Sequence, residues 1–212
     1  RGVKVAVSLV ALALLATVPF VASPYVQDLV VRILILAIFA LSLELLVGTT
    51  GLVSLGHAAF LGIGAYATVL AAPAADPGSF VGLLGLAVLA AGLYAAVTGA
   101  LSLRTKGVYF IMVTLAFAQM AYFIVHDTKL GGGSDGIYLN IKPVVGPADA
   151  PWLDPADRTT LFFVVLVAFA LVYALLALLL RSRFGHALVG IRLNEQRMRA
   201  AGFPTFFYKW AA

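Results

Sequence analysis

The sequence predicts an all-α membrane protein, a polytopic bundle of transmembrane helices. Its 212 residues are 63% hydrophobic and 11% charged, whereas a soluble domain is about half apolar and about a quarter charged. The apolar residues gather into runs of about the 20 residues that a helix needs to cross the hydrocarbon core. These runs are continuous and lack the alternation of a barrel strand, so helices are expected and not a β-barrel.

Six spans are expected within a bundle over residues 1–180: 5–22, 29–47, 51–71, 80–101, 107–125 and 160–180. The first run follows Arg1 and Lys4, as a secretory signal would. It is long for such a signal and five further runs follow, so it is taken as a retained helix. Only Gly48, Thr49, Thr50 and Gly51 separate the second span from the third, leaving room for a broken or re-entrant helix there. The fourth span carries Gly78, Gly85, Gly92 and Gly99 at seven-residue intervals, a stripe on which another helix can pack closely. Ser54, Ala58 and Gly62 make a similar small-residue ridge in the third.

The charges orient the bundle. A cytoplasmic N-terminus puts Arg1, Lys4, Arg104, Lys106, Arg181, Arg183, Arg192, Arg197, Arg199 and Lys209 inside. Only Lys129, Lys142 and Arg158 then lie outside, with Arg32 just within the second span, which is the positive-inside bias. Residues 126–159 form an exterior loop carrying Asp127, Asp135, Asp149, Asp154 and Asp157. The net charge of +5 is thereby explained without a nucleic-acid partner.

Polar side chains inside the apolar runs are the candidate path residues: Glu44, Ser54, His57, Thr114 and Gln119, with Tyr122 nearby. Glu44 costs up to about 3 kcal/mol at mid-bilayer, so it faces protein or water. Two roles stay open for it, a place on a translocation path or a carboxylate bonded near Thr49 and Ser54 to hold the helix break. His57 has no second ligand at helical spacing, so no metal site is expected; a hydrogen bond to another helix and substrate contact are its alternatives. The G-G-G-S-D-G stretch at 131–136 lacks the Lys-Ser/Thr of a phosphate loop and is taken as a turn. There is no cysteine, no nucleophile with a base and no pair of facing carboxylates. The chain is expected to be no enzyme and to need no cofactor.

Residues 181–203 hold five arginines and one acid, with Phe184, Leu188, Ile191 and Met198 at roughly helical spacing. Such a segment suits an interfacial helix on anionic lipid. The ending R-A-A-G before Pro204 suggests instead a short helix that stops at Gly202 and can dock in a cleft of a partner protein.

Three segments resemble one family. They are L-S-L-E-L-L-V-G-T-T-G-L-V-S-L-G-H-A-A-F-L-G-I-G-A-Y at 41–66, K-G-V-Y-F-I-M-V-T-L-A-F-A-Q-M at 106–120 followed by G-G-S-D-G at 132–136, and the basic stretch after 181. Together, and in family order, they resemble the permeases of branched-chain amino-acid ATP-binding-cassette importers, the Liv type, which includes urea permeases. The second segment is closer to the M-type than to the shorter H-type. The resemblance implies that 181–209 couples the permease to ATPases, with Gly185, Arg192, Asn194, Glu195, Ala200, Ala201 and Gly202 as its contact candidates. It implies a second permease subunit in a heterodimer, two cytoplasmic ATPase subunits that bind the ATP, a periplasmic binding protein and a place in the bacterial inner membrane. Glu44 stands where the family often has Asn, and His186 and Leu193 replace residues that are commonly charged. The chain stops at Ala212 where family members enter further spans, so it is expected to be an N-terminal portion or a truncated product. An ion-coupled secondary transporter or channel, with Glu44 and His57 as its ion sites, is the alternative. Amino acids, urea and short amides all stay open as substrates.

Overall fold

A computed structural model describes residues 2–73, 78–128, 132–133, 136–137, 141, 143–146 and 154–212. Arg1, Lys129, Gly131, Ser134, Asp135, Lys142 and Asp149 lie outside the described residues, and so does the side chain of Lys4. Among those described, the regular elements are helices: α1 Gly2–Val21, α2 Pro24–Glu44, α3 His57–Ala71, α4 Phe80–Ser102, α5 Val108–Asp127, α6 Arg158–Arg181, α7 Arg183–Leu193, α8 Glu195–Ala200 and α9 Thr205–Ala211.

Local chemistry sets the boundaries. Pro24 opens α2 with its backbone already near helical φ and no N–H to leave orphaned. The Gln27 amide reaches back to donate to the carbonyls of Pro19 (3.0 Å) and Ala22 (3.2 Å), groups that the end of α1 leaves free. Ser79 caps α4, accepting from the Gly82 N–H. Asp157 caps α6, accepting from the Thr160 N–H at 3.0 Å. Bonds from the Thr160 backbone and then its hydroxyl hold the Asp157 carboxyl below the usual carboxylate range.

Among the described residues, four elements are long and apolar enough to cross a membrane: Pro24–Thr49, Phe80–Ser102, Val108–Asp127 and Arg158–Arg181. Val10–Val21 and His57–Ala71 are shorter apolar helices. The third predicted span is corrected at its start, because helix begins at His57 and not at 51. Gly51 has φ +73°, and the chain from there to Gly56 is not helical. With 15 residues, α3 is about 22 Å long, short of the roughly 30 Å hydrocarbon core.

The helices form two groups. In one, α2 and α1 pack on α6 around buried Val31, Leu34, Phe162 and Leu166. Between membrane helices this contact gains van der Waals packing and not release of water. In the other, α3 lies along α4 and α5, and the Tyr94 hydroxyl of α4 donates to the Phe117 carbonyl of α5 at 2.7 Å. Outward faces stay apolar and exposed, as at Leu93, Leu171 and Leu178.

Gly62, Gly85 and Gly92 of the small-residue stripes do not lie where the helices of this chain meet. A Cβ built on Gly62, Gly85 or Gly92 would have nothing within 4 Å. The seam between α3 and α4 runs instead through Gly64, opposite Ala87 at 3.8 Å. Gly62 and Gly64 are about 200° apart around their helix, as are Gly85 and Ala87. Gly99 takes a neighbour, the Trp210 indole of α9 at 3.6 Å, and the same indole donates to the Ala96 carbonyl at 2.9 Å. Thus α9 leans on the C-terminal end of α4, near Arg104 and Lys106, while α7 sits beside the C-terminal ends of α2 and α6. The basic residues of 104–106 and of 181–209 therefore collect at one end of the bundle. At the other end Arg158 lies 4.0 Å from Asp28.

Candidate functional site at the helix break

The last turn of α2 widens into a π-helical turn over Leu45–Thr49, where Thr50 N–H reaches the Leu45 carbonyl at 3.3 Å. Such turns leave carbonyls free for other partners and often mark functional positions. The Glu44 carboxylate folds over the α-carbon of Gly48, in the space a Cβ would fill. Glu44 makes no hydrogen bond or ion pair among the described residues. Of its two open roles, bonding near Thr49 and Ser54 is not seen among the described residues; both of those residues are buried, and Ser54 Oγ accepts from the Gly56 N–H at 3.2 Å.

His57 is the first residue of α3 and ties the two sides of the break together. Its Nε2 lies 2.8 Å from Ser42 Oγ on α2. The Ser42 hydroxyl donates to the Phe39 carbonyl at 2.7 Å, so it has only lone pairs left to offer, and His57 Nε2 carries the proton. The ring sits between Phe39 and Phe60, with centroids 5.0 and 5.5 Å away. Its Nδ1 is buried without a partner among the described residues.

Gly56 meets α5. A Cβ there would overlap the carbonyl of Thr114, so glycine is needed for the chain to cross this helix. Ser54, Thr98, Ser102 and Thr114 surround a void of about 40 Å³, room for an ordered water. The Ser102 hydroxyl, 1% exposed, has no partner among the described residues. Ser54 and Thr114 are thus brought together, whereas Gln119 lies farther along α5 in a separate groove of about 330 Å³ against Ala58 and Gly62.

The segment after α6 folds back on the break. Ser182 caps α7, and Gly185 presses on the backbone of Leu179 and Leu180, so closely that an added Cβ would stand 2.6 Å from it. This approach turns α7 beneath α6 and buries Ala187, Leu188 and Ile191. The stem of Arg192 then passes Gly51, 3.1 Å from where its Cβ would lie, and its guanidinium donates to the Gly48 carbonyl. A carbonyl freed by the π-turn is thereby satisfied by the helix outside the bundle.

The single helix predicted to run to Gly202 is divided. Asn194 leaves the helical conformation and caps α8, its side chain accepting from the Arg197 N–H at 2.9 Å. The predicted stop is in place: Gly202 has φ +85°, and Gly202 and Phe203 N–H close on the Arg199 and Met198 carbonyls at 2.9 and 3.1 Å, a Schellman ending. Ala200 and Ala201 are exposed on its surface. Glu195 faces inward, 2.6 Å from both Lys209 and Arg199, and Thr205 donates to it at 3.2 Å. Burial pushes its carboxyl up, but Lys209, Arg199 and Thr205 outweigh this and hold it below the usual range. Leu193, 80% exposed, and Val189 give the free side of this unit an apolar spot.

Sequence reasoning missed Ser42, Gly56, Thr205, Lys209 and Trp210. For Gly56 the signal was present, a glycine between a serine and a helix start. For Trp210 no local pattern pointed to α4.

The profile described as branched-chain amino acid transport system / permease component matches residues 25–212. The high-affinity branched-chain amino acid transport system permease protein LivM of Salmonella typhimurium is 30% identical over 190 residues, covering 79% of this chain and 44% of that protein. LivM of Escherichia coli is 31% identical over 189 residues, covering 78% and 43%. The chain thus spans less than half the length of these relatives. No solved structure matches it. With apolar helices of spanning length around a polar break, and a match over nearly its whole length, this multi-pass membrane chain belongs to the branched-chain amino acid transport system permease family.

Proposed function

We propose that this chain is a transmembrane permease subunit of an ATP-binding-cassette importer that moves branched-chain or related amino acids across the bacterial inner membrane by alternating access. The observation that carries this is the bond from Arg192 on α7 to the Gly48 carbonyl in the break of α2. It links a surface helix outside the bundle to an irregular turn inside a span. A docked ATPase that shifted α7 would therefore pull on that turn.

In this reading α7–α9 lie in the cytoplasm and the N-terminus is cytoplasmic. Six spans cross the membrane, with α1 and α3 completing their crossings beside longer neighbours. Two cytoplasmic ATPase subunits bind and hydrolyse ATP, and one of them docks on the exposed side of α7 and α8, near Leu193 and Arg197. A periplasmic binding protein delivers the amino acid, and a second, different permease subunit completes the path. This chain contributes no bond-making chemistry; it offers two packings that its partners bind unequally.

Glu44, without a partner among the described residues, is the feature that favours an ion-coupled carrier. The test separates the two. The full-length protein, purified with its co-encoded partners and reconstituted in liposomes, is expected to bring down an ATPase and to take up leucine only with ATP and a loaded binding protein. Uptake driven by a proton gradient without ATP would instead support the carrier. Competition by valine, urea and short amides then ranks the substrates.

A further inference from the structure

The polar residues at the break leave the groove between α3 and α5 unexplained. At one end the two helices are held together where Gly56 crosses the Thr114 carbonyl, with no space for a Cβ. Beyond that crossing they part and enclose about 330 Å³, within the range of small-molecule sites. The lining runs along α5 from Leu115 to His126, about 16 Å of helix or half the hydrocarbon thickness. The groove is therefore blind at the crossing. Its other end is marked by His126, which stacks on Tyr122 at 5.2 Å and bonds Asp127 at 2.8 Å.

Its chemistry is selective. No Lys, Arg, Asp or Glu lines it, and the walls are largely small or aliphatic, as at Ala58, Gly62 and Leu115. Gln119 stands among them, exposed and without a hydrogen-bond partner among the described residues. A bare amide in the middle of a membrane helix is costly against lipid, so this face meets water, a polar ligand or a further helix. The amide offers an N–H to a carboxylate and a C=O to an ammonium group, while the walls suit a short hydrocarbon side chain. A neutral zwitterion with an aliphatic side chain satisfies both.

We infer that the groove between α3 and α5 is a binding site for an aliphatic α-amino acid, held by Gln119, entered from the His126 end and closed at the Gly56–Thr114 crossing. The inference rests on the importer reading, and names where the permease itself holds its substrate.

These 212 residues contain no cysteine, and Gly62 has nothing within 4 Å of its Cβ position, so Gly62→Cys introduces a single thiol into the groove without a clash. In the assembled importer, with any cysteine elsewhere replaced, a membrane-impermeant methanethiosulfonate added at the outer face is expected to label Gly62→Cys. Saturating leucine should slow that labelling about tenfold, as expected for an occupied site. Gly85→Cys on the outer face of α4 should stay unlabelled throughout. A Gly62→Cys that is unreactive, or that reacts equally with and without leucine while ATP-driven uptake persists, overturns the inference and leaves the groove to lipid or to a helix of the second subunit. Loss of ATP-dependent uptake by the unaltered importer is a separate result and counts against the importer reading instead. As a second measurement, leucine binding to the purified importer without its binding protein should weaken about tenfold or more in Gln119→Leu, the effect of losing a hydrogen bond to a charged group. Unchanged binding there contradicts the inference whether or not the cysteine variant folds.

Discussion

Glu195 shows how a side chain expected to meet a partner can be committed within its own chain. Its carboxylate joins α8 to α9 through Lys209, Arg199 and Thr205, so in the proposed importer it would shape the surface offered to an ATPase. Because its pKa lies below the ordinary value of 4.5, the stabilisation is full above that value and is lost as pH falls through the depressed one. Amide protection in α8 and α9, taken relative to the intrinsic exchange rate at each pH, should therefore fall as the pH is lowered below 4.5. In Glu195→Gln that protection should already be lower at neutral pH, by a factor corresponding to about 1 kcal/mol for a pair that is partly solvated, and should no longer change with acid. Exchange in Glu195→Gln that matches the parent protein at neutral pH would show that the network contributes nothing. Gly185 presents the opposite case, in which space alone decides. A methyl group there would stand 2.6 Å from three backbone atoms of Leu179 and Leu180 in α6, so Gly185→Ala should cost about 1–3 kcal/mol, measured as a lower detergent melting temperature and faster proteolysis after Arg181.

At the scale of elements, the long apolar runs were legible because the bilayer dictates them. The starts of α4, α5 and α6 agree with the expected spans to within two residues. Two features were not legible. The beginning of α3 was hidden because residues 51–56 are as apolar as the helix that follows. Only the positive φ of Gly51 and the crossing of Gly56 on Thr114 keep them out of it, and both depend on α5 and α7. The glycine stripes were visible, but their partners were not. A seven-residue interval says that small residues share a face and leaves unsaid which helix meets it, and the seam in this chain uses the face two residues on. A pair of substitutions separates the faces: Gly64→Leu should disrupt α3–α4 packing and lower the melting temperature of the isolated chain, while Gly85→Leu should leave it unchanged. Equal losses in the two would place Gly85 in the same seam. Of the path candidates, the sequence showed which residues are polar, but their sorting into a tie at His57, a void at Ser54 and Thr114, and a groove at Gln119 required the packing of α3 on α2 and on α5.

In the whole molecule the group of α1, α2 and α6 and the group of α3, α4 and α5 are joined at the end where α7 and α9 lie. The helix α7 touches α6 and the break, and α9 touches α7 and α4; Arg192 and Trp210 supply the directed bonds. Movement of this unit relative to the bundle would act on both groups together, which suits a device that converts events at one membrane face into a change of packing within it. The most direct test is to compare the parent importer with Arg192→Ala in liposomes, measuring ATP hydrolysis and leucine uptake in the same preparation. The account predicts that hydrolysis continues, still stimulated by loaded binding protein, while uptake falls about tenfold or more, in line with the 1.5–3 kcal/mol of a charge-assisted hydrogen bond. Uptake and hydrolysis that stay coupled at the parental ratio would contradict it.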